Sequence, residues 1–148
     1  MSQVRKAAGF TLLEVMVVIV ILGILASLVV PNLLANKEKA DRQKAISDIT
    51  ALEGALDMYK LDNGLYPTTE QGLQALVEKP TSAPEPRRYR EDGYIKRLPK
   101  DPWGGDYLYM QPGEKASRYD LYTYGVDGQE GGEGEAADIG NWNLGDFE

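Results

Sequence analysis

The sequence of 148 residues contains no cysteine and no histidine. Without cysteine the chain cannot form a disulfide, so its loops must be held by other means. The missing histidine excludes a histidine-based catalytic triad, and zinc prefers the two absent residue types as ligands. The carboxylates Glu70, Asp101 and Asp120 have no spacing that indicates a catalytic pair, and no P-loop, GxGxxG motif or nucleophile elbow is present. We therefore predict that the chain is not an enzyme.

Basic residues are missing from the C-terminal end of the chain. The net charge is −7, from 23 acidic and 16 basic residues, and residues 1–126 are neutral overall. The excess comes from seven acidic residues after position 126, namely Asp127, Glu130, Glu133, Glu135, Asp138, Asp146 and Glu148. No basic face dominates, so we expect no nucleic acid as a partner. The acidic cluster is suited instead to repelling its surroundings or to holding a cation.

The N-terminal segment contains almost no charge. Its first nine residues are basic, with Arg5 and Lys6, and Glu14 is the only ionisable side chain from Phe10 to Leu34. As a helix these residues would be about 38 Å long, enough to cross a bilayer core of about 30 Å. The basic flank would stay on the cytoplasmic side.

The position of Glu14 separates three interpretations of this segment. A cleaved secretory signal peptide has a shorter apolar core with a small-x-small cleavage site at its far end. A plain membrane anchor fits the length of the segment. Neither explains Glu14, because a carboxylate within lipid costs about 2.5–3.5 kcal/mol and usually has a partner.

The third interpretation comes from the stretch RKAAGFTLLE, residues 5–14. It resembles the class III signal of type IV pilins and pseudopilins. The resemblance implies that a prepilin peptidase cuts between Gly9 and Phe10 and methylates the new amino group of Phe10. It also implies that Glu14 of one subunit neutralises the Phe10 amine of its neighbour during assembly. Removing one partner of such a buried pair costs roughly 3–5 kcal/mol.

Gly23 and Pro31, both inside the apolar helix, are weak helix formers. Glycine costs about 1 kcal/mol and proline about 3 kcal/mol in a helix interior, which predicts a kink at Pro31. Our further hypothesis is that the segment between Gly23 and Pro31 stretches or unwinds during polymerisation, as the resemblance to filament-forming proteins implies.

After residue 36 the apolar residues take helical spacing. They form one stripe: Ala45, Ile49, Leu52, Leu56 and Tyr59. Asp62-Asn63-Gly64 predicts the helix end, near Leu61, with Gly64 as a left-handed cap. A coiled-coil partner is the alternative, but the stripe spans barely two heptads and Gly54 interrupts it. Packing on a sheet is therefore favoured.

The remaining chain predicts a small α+β domain. Residues 68–77 predict a short helix that starts with a capping box. Residues 107–110 and 119–124 predict two aromatic-rich strands, with Gln111-Pro112-Gly113 as a hairpin signal. We expect an antiparallel sheet of about three strands packed on the long helix, since an isolated hairpin would be marginally stable.

Four segments extend the resemblance over nearly the whole chain. They resemble the G-type major pseudopilins of type II secretion systems: LDMYKLDN (56–63), YPTTEQGL (66–73), LPKDPWG (98–104) and DIGNW (138–142). The resemblance implies the α+β, type IV pilin-like fold. It divides the chain into a cleaved leader (1–9), a transmembrane half-helix (10–34), an amphipathic half-helix (35–63) and a globular part (64–148). Major type IV pilins usually close a C-terminal loop with a disulfide, so the missing cysteines favour the pseudopilins.

Residues 124–138 form an acidic, glycine-rich loop. Calcium takes six to eight oxygen ligands at about 2.3–2.6 Å, but composition alone favours a solvated, flexible loop here. The resemblance implies a structural calcium ion, held by the side chains of Asp127 and Asp138 and by the carbonyl of Tyr124. The family often has a further carboxylate where this chain has Ala137. The substitutes that we expect are Glu133, Glu135, further backbone carbonyls or water.

The resemblance also implies the function. The chain would be a structural subunit that polymerises through its N-terminal helix into the periplasmic pseudopilus, which helps folded proteins to cross the outer membrane. It would span the inner membrane once, with its globular part in the periplasm. Its partners would be further copies, minor pseudopilins, the inner-membrane secretion platform and the prepilin peptidase. The alternatives are a major type IV pilin for adhesion or motility, or a membrane-anchored binding module for which Glu14 is dispensable.

Overall fold

The computed structural model describes residues 9–147, and of residues 29–32 the backbone only. It contains one long helix, α1 (Leu12–Asn63), and three strands, β1 (Leu108–Met110), β2 (Asp120–Thr123) and β3 (Ile139–Gly140). Three short 3-10 helices lie between or after them, at Leu73–Leu76, Gly134–Ala136 and Leu144–Phe147. The chain divides into two compact units at Lys37 and Glu38, which are described separately.

The first unit is the apolar part of α1. Thr11 caps the helix, since the Glu14 N–H donates to Thr11 Oγ1 at 3.2 Å and the Val15 N–H donates to the Thr11 carbonyl at 3.3 Å. An 18-residue window of α1 has a mean hydropathy of 2.9, and no part of that window is buried. By length and composition, α1 can therefore cross a membrane. The helical backbone continues through Gly23 and Pro31, and the kink at Pro31 stays a prediction.

The far end of α1 lies in the second unit. The helix ends at Asn63, two residues after the predicted position. Gly64 follows with φ of +84°, and its N–H donates to the Lys60 carbonyl at 2.6 Å. This is the left-handed glycine cap that the sequence predicts, and the conformation is one that residues with a Cβ rarely adopt.

The core of the second unit forms around the predicted stripe of α1. All five stripe residues are buried, and they form one hydrophobic cluster with residues from the loops and the sheet, among them Leu73, Leu76, Leu121 and Ile139. Burying a leucine or isoleucine side chain fully contributes about 1.5–3 kcal/mol. The stripe prediction is confirmed, and α1 packs against the sheet of its own chain.

The sheet has three antiparallel strands in the order β1-β2-β3, as predicted. Tyr109 pairs with Leu121, and Thr123 pairs with Ile139. The first two strands lie within one residue of their predicted bounds. The hairpin signal was only partly right, because residues 111–119 make a longer connection than a tight turn.

The prediction of a short helix over residues 68–77 was only partly right. The segment forms turns and then the 3-10 helix Leu73–Leu76. The capping box does form, since the Gln71 N–H donates to Thr68 Oγ1 at 3.2 Å and the Thr68 N–H donates to Gln71 Oε1 at 3.1 Å. Gly72 then takes φ of +60° and ψ of −168°, outside the helical region. The Gln71 amide also donates to the carbonyls of Ser82 and Pro84, which holds this turn against the proline-rich loop.

Candidate functional site

The predicted cleavage site lies just before α1. Gly9 and Phe10 are outside the helix, and 83% of Phe10 is exposed. A Cβ built on Gly9 would meet no atom within 4 Å, so the backbone at this side of the predicted cleavage site is open. Most of the predicted leader, residues 1–8, lies outside the described residues.

Glu14 occupies the first turn of α1. Its side chain is exposed, and the large apolar side chains that flank it along the same segment are exposed as well. The helix dipole favours a carboxylate at this end. A cationic partner supplied by another subunit would have direct access to it. Gly23 is also open, since an added Cβ would meet nothing within 4 Å.

The acidic loop, residues 124–138, is the connection between β2 and β3. The pair Thr123–Ile139 closes its base, and a Cβ on Gly125 would lie 3.2 Å from the Ala137 carbonyl oxygen. Gly132 has φ of +85°, and a Cβ there would lie 2.3 Å from the Ala136 carbonyl oxygen. The loop is therefore folded back on itself, and its glycines permit that path.

Asp138 gives the loop an unsatisfied buried acceptor. Only 8% of Asp138 is exposed. Its Oδ2 accepts from the Gly131 N–H at 2.9 Å and lies 3.9 Å from Lys115 Nζ. Its Oδ1 is buried without a hydrogen-bond partner. A buried carboxylate oxygen without a partner is costly, so this atom fits the role of a cation ligand.

The other predicted ligands lie around the same loop. Asp127 is exposed, and its Oδ1 accepts from the Gln129 N–H at 3.1 Å. Glu133 and Glu135 are exposed, and Tyr124 is half-buried. Within residues 9–147, no three carboxylates come together as a metal site. Any calcium ion at Asp138 would therefore need backbone carbonyls or water among its ligands.

Sequence reasoning missed the role of Asp120, which is buried at the start of β2. Its carboxylate accepts from the N–H groups of Glu114, Lys115 and Ala116 at 2.7–3.1 Å. Burial alone would raise the pKa of Asp120, but these donors outweigh it, and the pKa lies below its ordinary value. Asp120 thus fixes the β1–β2 connection. The sequence signal that could have indicated this role is the Pro112-Gly113 turn followed by an Asp at the start of the next strand.

Asp101 is a second structural acceptor. Its Oδ2 accepts from Thr123 Oγ1 at 2.5 Å, and its Oδ1 accepts from the N–H groups of Trp103 and Gly105 at 3.0 and 2.6 Å. Thr123 Oγ1 accepts in turn from the Gly125 N–H at 3.2 Å. These contacts tie the 101–105 turn to the first residues of the acidic loop.

Known protein families match both the N-terminal apolar segment and the rest of the chain. The family model "Type II secretion system (T2SS), protein G" matches residues 32–142, and the prokaryotic N-terminal methylation motif matches residues 4–30. The chain is 73% identical over 148 residues to the type II secretion system core protein G of Vibrio cholerae, covering 100% of both chains. It is 68% identical over 146 residues to the core protein G of Aeromonas hydrophila, covering 99% of both.

A solved structure agrees with these sequence matches. It is the crystal structure of the major pseudopilin from the type 2 secretion system of enterohaemorrhagic Escherichia coli, with 62% sequence identity and a TM-score of 0.67. The match covers 78% of this chain and 97% of that chain. At this identity the likeness supports the fold described above, in which a long helix packs on a three-stranded antiparallel sheet. The chain therefore belongs to the protein G family of type II secretion systems, the family of the major pseudopilins.

Proposed function

We propose that this chain is a structural subunit of the type II secretion pseudopilus and polymerises through the apolar part of α1. The observation that carries the proposal is the open surface of that segment. Its large apolar side chains, from Phe10 to Leu28, are all exposed in a single chain. Such a surface needs lipid before assembly, and neighbouring copies of the same helix can replace lipid afterwards.

The proposal also includes a location and partners, which the apolar segment and the family match support. The subunit is held in the inner membrane by one span, with its globular part in the periplasm. The methylation-motif match supports cleavage by a prepilin peptidase between Gly9 and Phe10, followed by methylation of Phe10. The filament then grows with minor pseudopilins and the inner-membrane secretion platform, and it helps folded proteins to cross the outer membrane.

Glu14 gives assembly its register. Cleavage creates an amine at Phe10, and Glu14 of a neighbouring copy neutralises it in the low-dielectric interior of the filament. Neither charge is favourable alone in lipid, whereas the pair is far less costly. A subunit that is uncut or out of register leaves Glu14 without this partner.

The test is Glu14→Ala beside the isosteric Glu14→Gln, in the full chain co-expressed with its prepilin peptidase and secretion system. Losing one partner of a buried pair costs roughly 3–5 kcal/mol, so filament yield should fall more than about a hundredfold. The measurements are sedimentable filaments, secreted cargo and the amount of subunit in the membrane fraction.

Glu91→Gln is the matched control, because Glu91 is an exposed glutamate of the globular part. It should leave filament yield unchanged. Membrane insertion should be the same in every variant. Normal filaments and normal secretion with Glu14→Ala would contradict the proposal and favour a membrane-anchored binding module.

The acidic loop has a structural role in the same proposal. Asp138 and Asp127 hold a calcium ion together with the Tyr124 carbonyl, and Glu133, Glu135, other carbonyls or water complete the ligands. The buried, unpartnered Oδ1 of Asp138 supports this assignment. A bound divalent cation supplies positive charge that links the two ends of a loop that has no disulfide.

Chelation is the corresponding experiment. A ligand at a hundredfold excess over its Kd stabilises the folded state by about 2.7 kcal/mol, so a chelator should lower the Tm of the wild-type chain in detergent. Asp127→Ala and Asp138→Asn should each remove this response to chelator. Asp106→Asn, at an exposed aspartate, should retain it. A wild-type Tm that chelator and added calcium leave unchanged would refute the calcium site.

A further inference from the structure

We infer that Lys115 is a built-in cation that competes with the divalent ion for Asp138 and so sets the calcium affinity of the loop. This inference rests on the proposed calcium site. Lys115 Nζ lies 3.9 Å from Asp138 Oδ2, and 47% of the Lys115 side chain is exposed. The same carboxylate presents its other oxygen, Oδ1, without a partner. One buried carboxylate thus faces a tethered cation on one oxygen and offers the other to a diffusible one.

The backbone of Lys115 is held in place by a separate carboxylate. The Lys115 N–H donates to both oxygens of Asp120, at 3.1 and 2.9 Å, and the N–H groups on either side donate to Asp120 as well. Asp120 is buried. The connection can therefore not carry Lys115 away from the acidic loop, and only the flexible side chain can withdraw the ammonium from Asp138.

In the same position the ammonium of Lys115 also contacts an aromatic ring. Lys115 Nζ is over the Trp142 ring, 4.6 Å from its centroid. The ring is itself held, since a Cβ on Gly140 would lie 2.5 Å from its atoms and the Tyr122 ring centroid is 5.4 Å away. A cation over an aromatic face is stabilised there without a carboxylate. The ammonium can thus give up Asp138 and keep Trp142.

Electrostatics then give the direction of the effect. A calcium ion on Asp138 Oδ1 and an ammonium on Oδ2 repel each other at short range. Binding calcium must push the ammonium away, so the lysine weakens calcium binding. Without calcium, the lysine partly neutralises the buried carboxylate and favours the folded loop. The partial exposure of Lys115 screens both effects, and we expect a change in Kd of about tenfold.

The experiment is calorimetric titration of calcium into the chelator-treated full chain in detergent, at about 0.1 M KCl. Lys115→Met should bind calcium about tenfold more tightly than wild type, and Lys115→Arg should bind within about twofold of wild type. Lys100→Met is the matched control, because it removes the same charge from an exposed ion pair with Asp106. It too should stay within about twofold.

Tryptophan emission gives a second measurement. Calcium should change the emission of the wild-type chain by moving the ammonium relative to Trp142. This change should be lost in Trp142→Phe and in Lys115→Met. Without calcium, Lys115→Met should have a lower Tm than wild type, and this difference should be smaller in the Asp138→Asn background, where only the contact with Trp142 is lost.

The outcomes separate the two proposals. Calcium binding of equal affinity in wild type and Lys115→Met overturns the role of Lys115 and leaves the calcium site standing. Equal tightening by Lys100→Met also overturns it, because the effect would then be one of net charge. A wild-type chain that binds no calcium overturns both.

Discussion

The two parts of α1 have the same secondary structure and opposite surroundings. From Leu12 to Leu28 the helix carries exposed apolar side chains, whereas the stripe from Ala45 to Tyr59 is buried against the sheet of its own chain. Helix propensity does not distinguish the two parts. The difference is the source of the partner, which one part finds within its chain and the other must find in lipid or in neighbouring subunits.

A matched pair of leucine substitutions should separate the two parts most strongly. Leu56 is 0% exposed and Leu25 is 53% exposed. Leu56→Ala should lower the free energy of unfolding of the globular unit by about 2–5 kcal/mol, because it leaves a cavity in the core. Leu25→Ala should change it by less than about 0.5 kcal/mol. Urea unfolding of the full chain in detergent, followed by near-ultraviolet circular dichroism, measures both.

Filament yield should show the opposite sensitivity, because Leu25 lies in the segment through which we propose that the subunits assemble. Leu25→Ala should reduce assembly while the globular unit remains folded, since Leu25 contacts only lipid or other subunits in our proposal. Equal losses of unfolding free energy from both substitutions would show that the apolar segment also has a partner within its own chain.

A substitution at Asp120 tests whether buried polar groups of the globular unit also depend on partners within their own chain. Asp120→Asn turns an amide N–H₂ toward N–H donors, so we expect it to lower the free energy of unfolding by about 2 kcal/mol at pH 7. The lowered pKa of Asp120 means that its contribution is present above the ordinary carboxyl pKa of about 4 and is lost as pH falls through the lower folded-state pKa. Urea unfolding at neutral and acidic pH checks this.

The exposed Asp106 is the control for this prediction, since Asp106→Asn should cost little at either pH. The wild-type advantage over Asp120→Asn should shrink at acidic pH. An advantage that stayed constant, or that grew as pH fell, would show that the charge on Asp120 is not what the three N–H groups stabilise.

Two glycines, one inside α1 and one just after it, should give the smallest effects, with opposite signs. Gly64 has φ of +84° just after the helix, and Gly54 is exposed inside it; an added Cβ meets nothing within 4 Å at either position. Gly64→Ala should cost about 1 kcal/mol because alanine rarely adopts that backbone conformation. Gly54→Ala should stabilise the globular unit by about 1 kcal/mol. Thermal unfolding compares them, and a shift of the same sign in both would contradict the cap.

Periodic features of the chain could be predicted from sequence, and contacts between distant loops could not. The stripe of α1 and strands β1 and β2 repeat over several residues, so their spacing indicates one buried face. The helix predicted over residues 68–77 did not form over its whole length, because Gly72 leaves the helical region although the capping box forms. Strand β3 has two residues, too few to show a pattern. The buried oxygen of Asp138 and the nearby Lys115 could not be predicted, because these residues lie on two different loops that come together only in the folded sheet.

The closed base of the acidic loop has a consequence for how this protein can vary. Thr123 pairs with Ile139, so the two ends of the loop are held together by the sheet itself. Lengthening a flexible loop costs little, about 0.6 kcal/mol for each doubling. The loop between β2 and β3 can therefore change in length while this pair stays closed, provided that Asp127 and Asp138 keep their positions for the proposed cation.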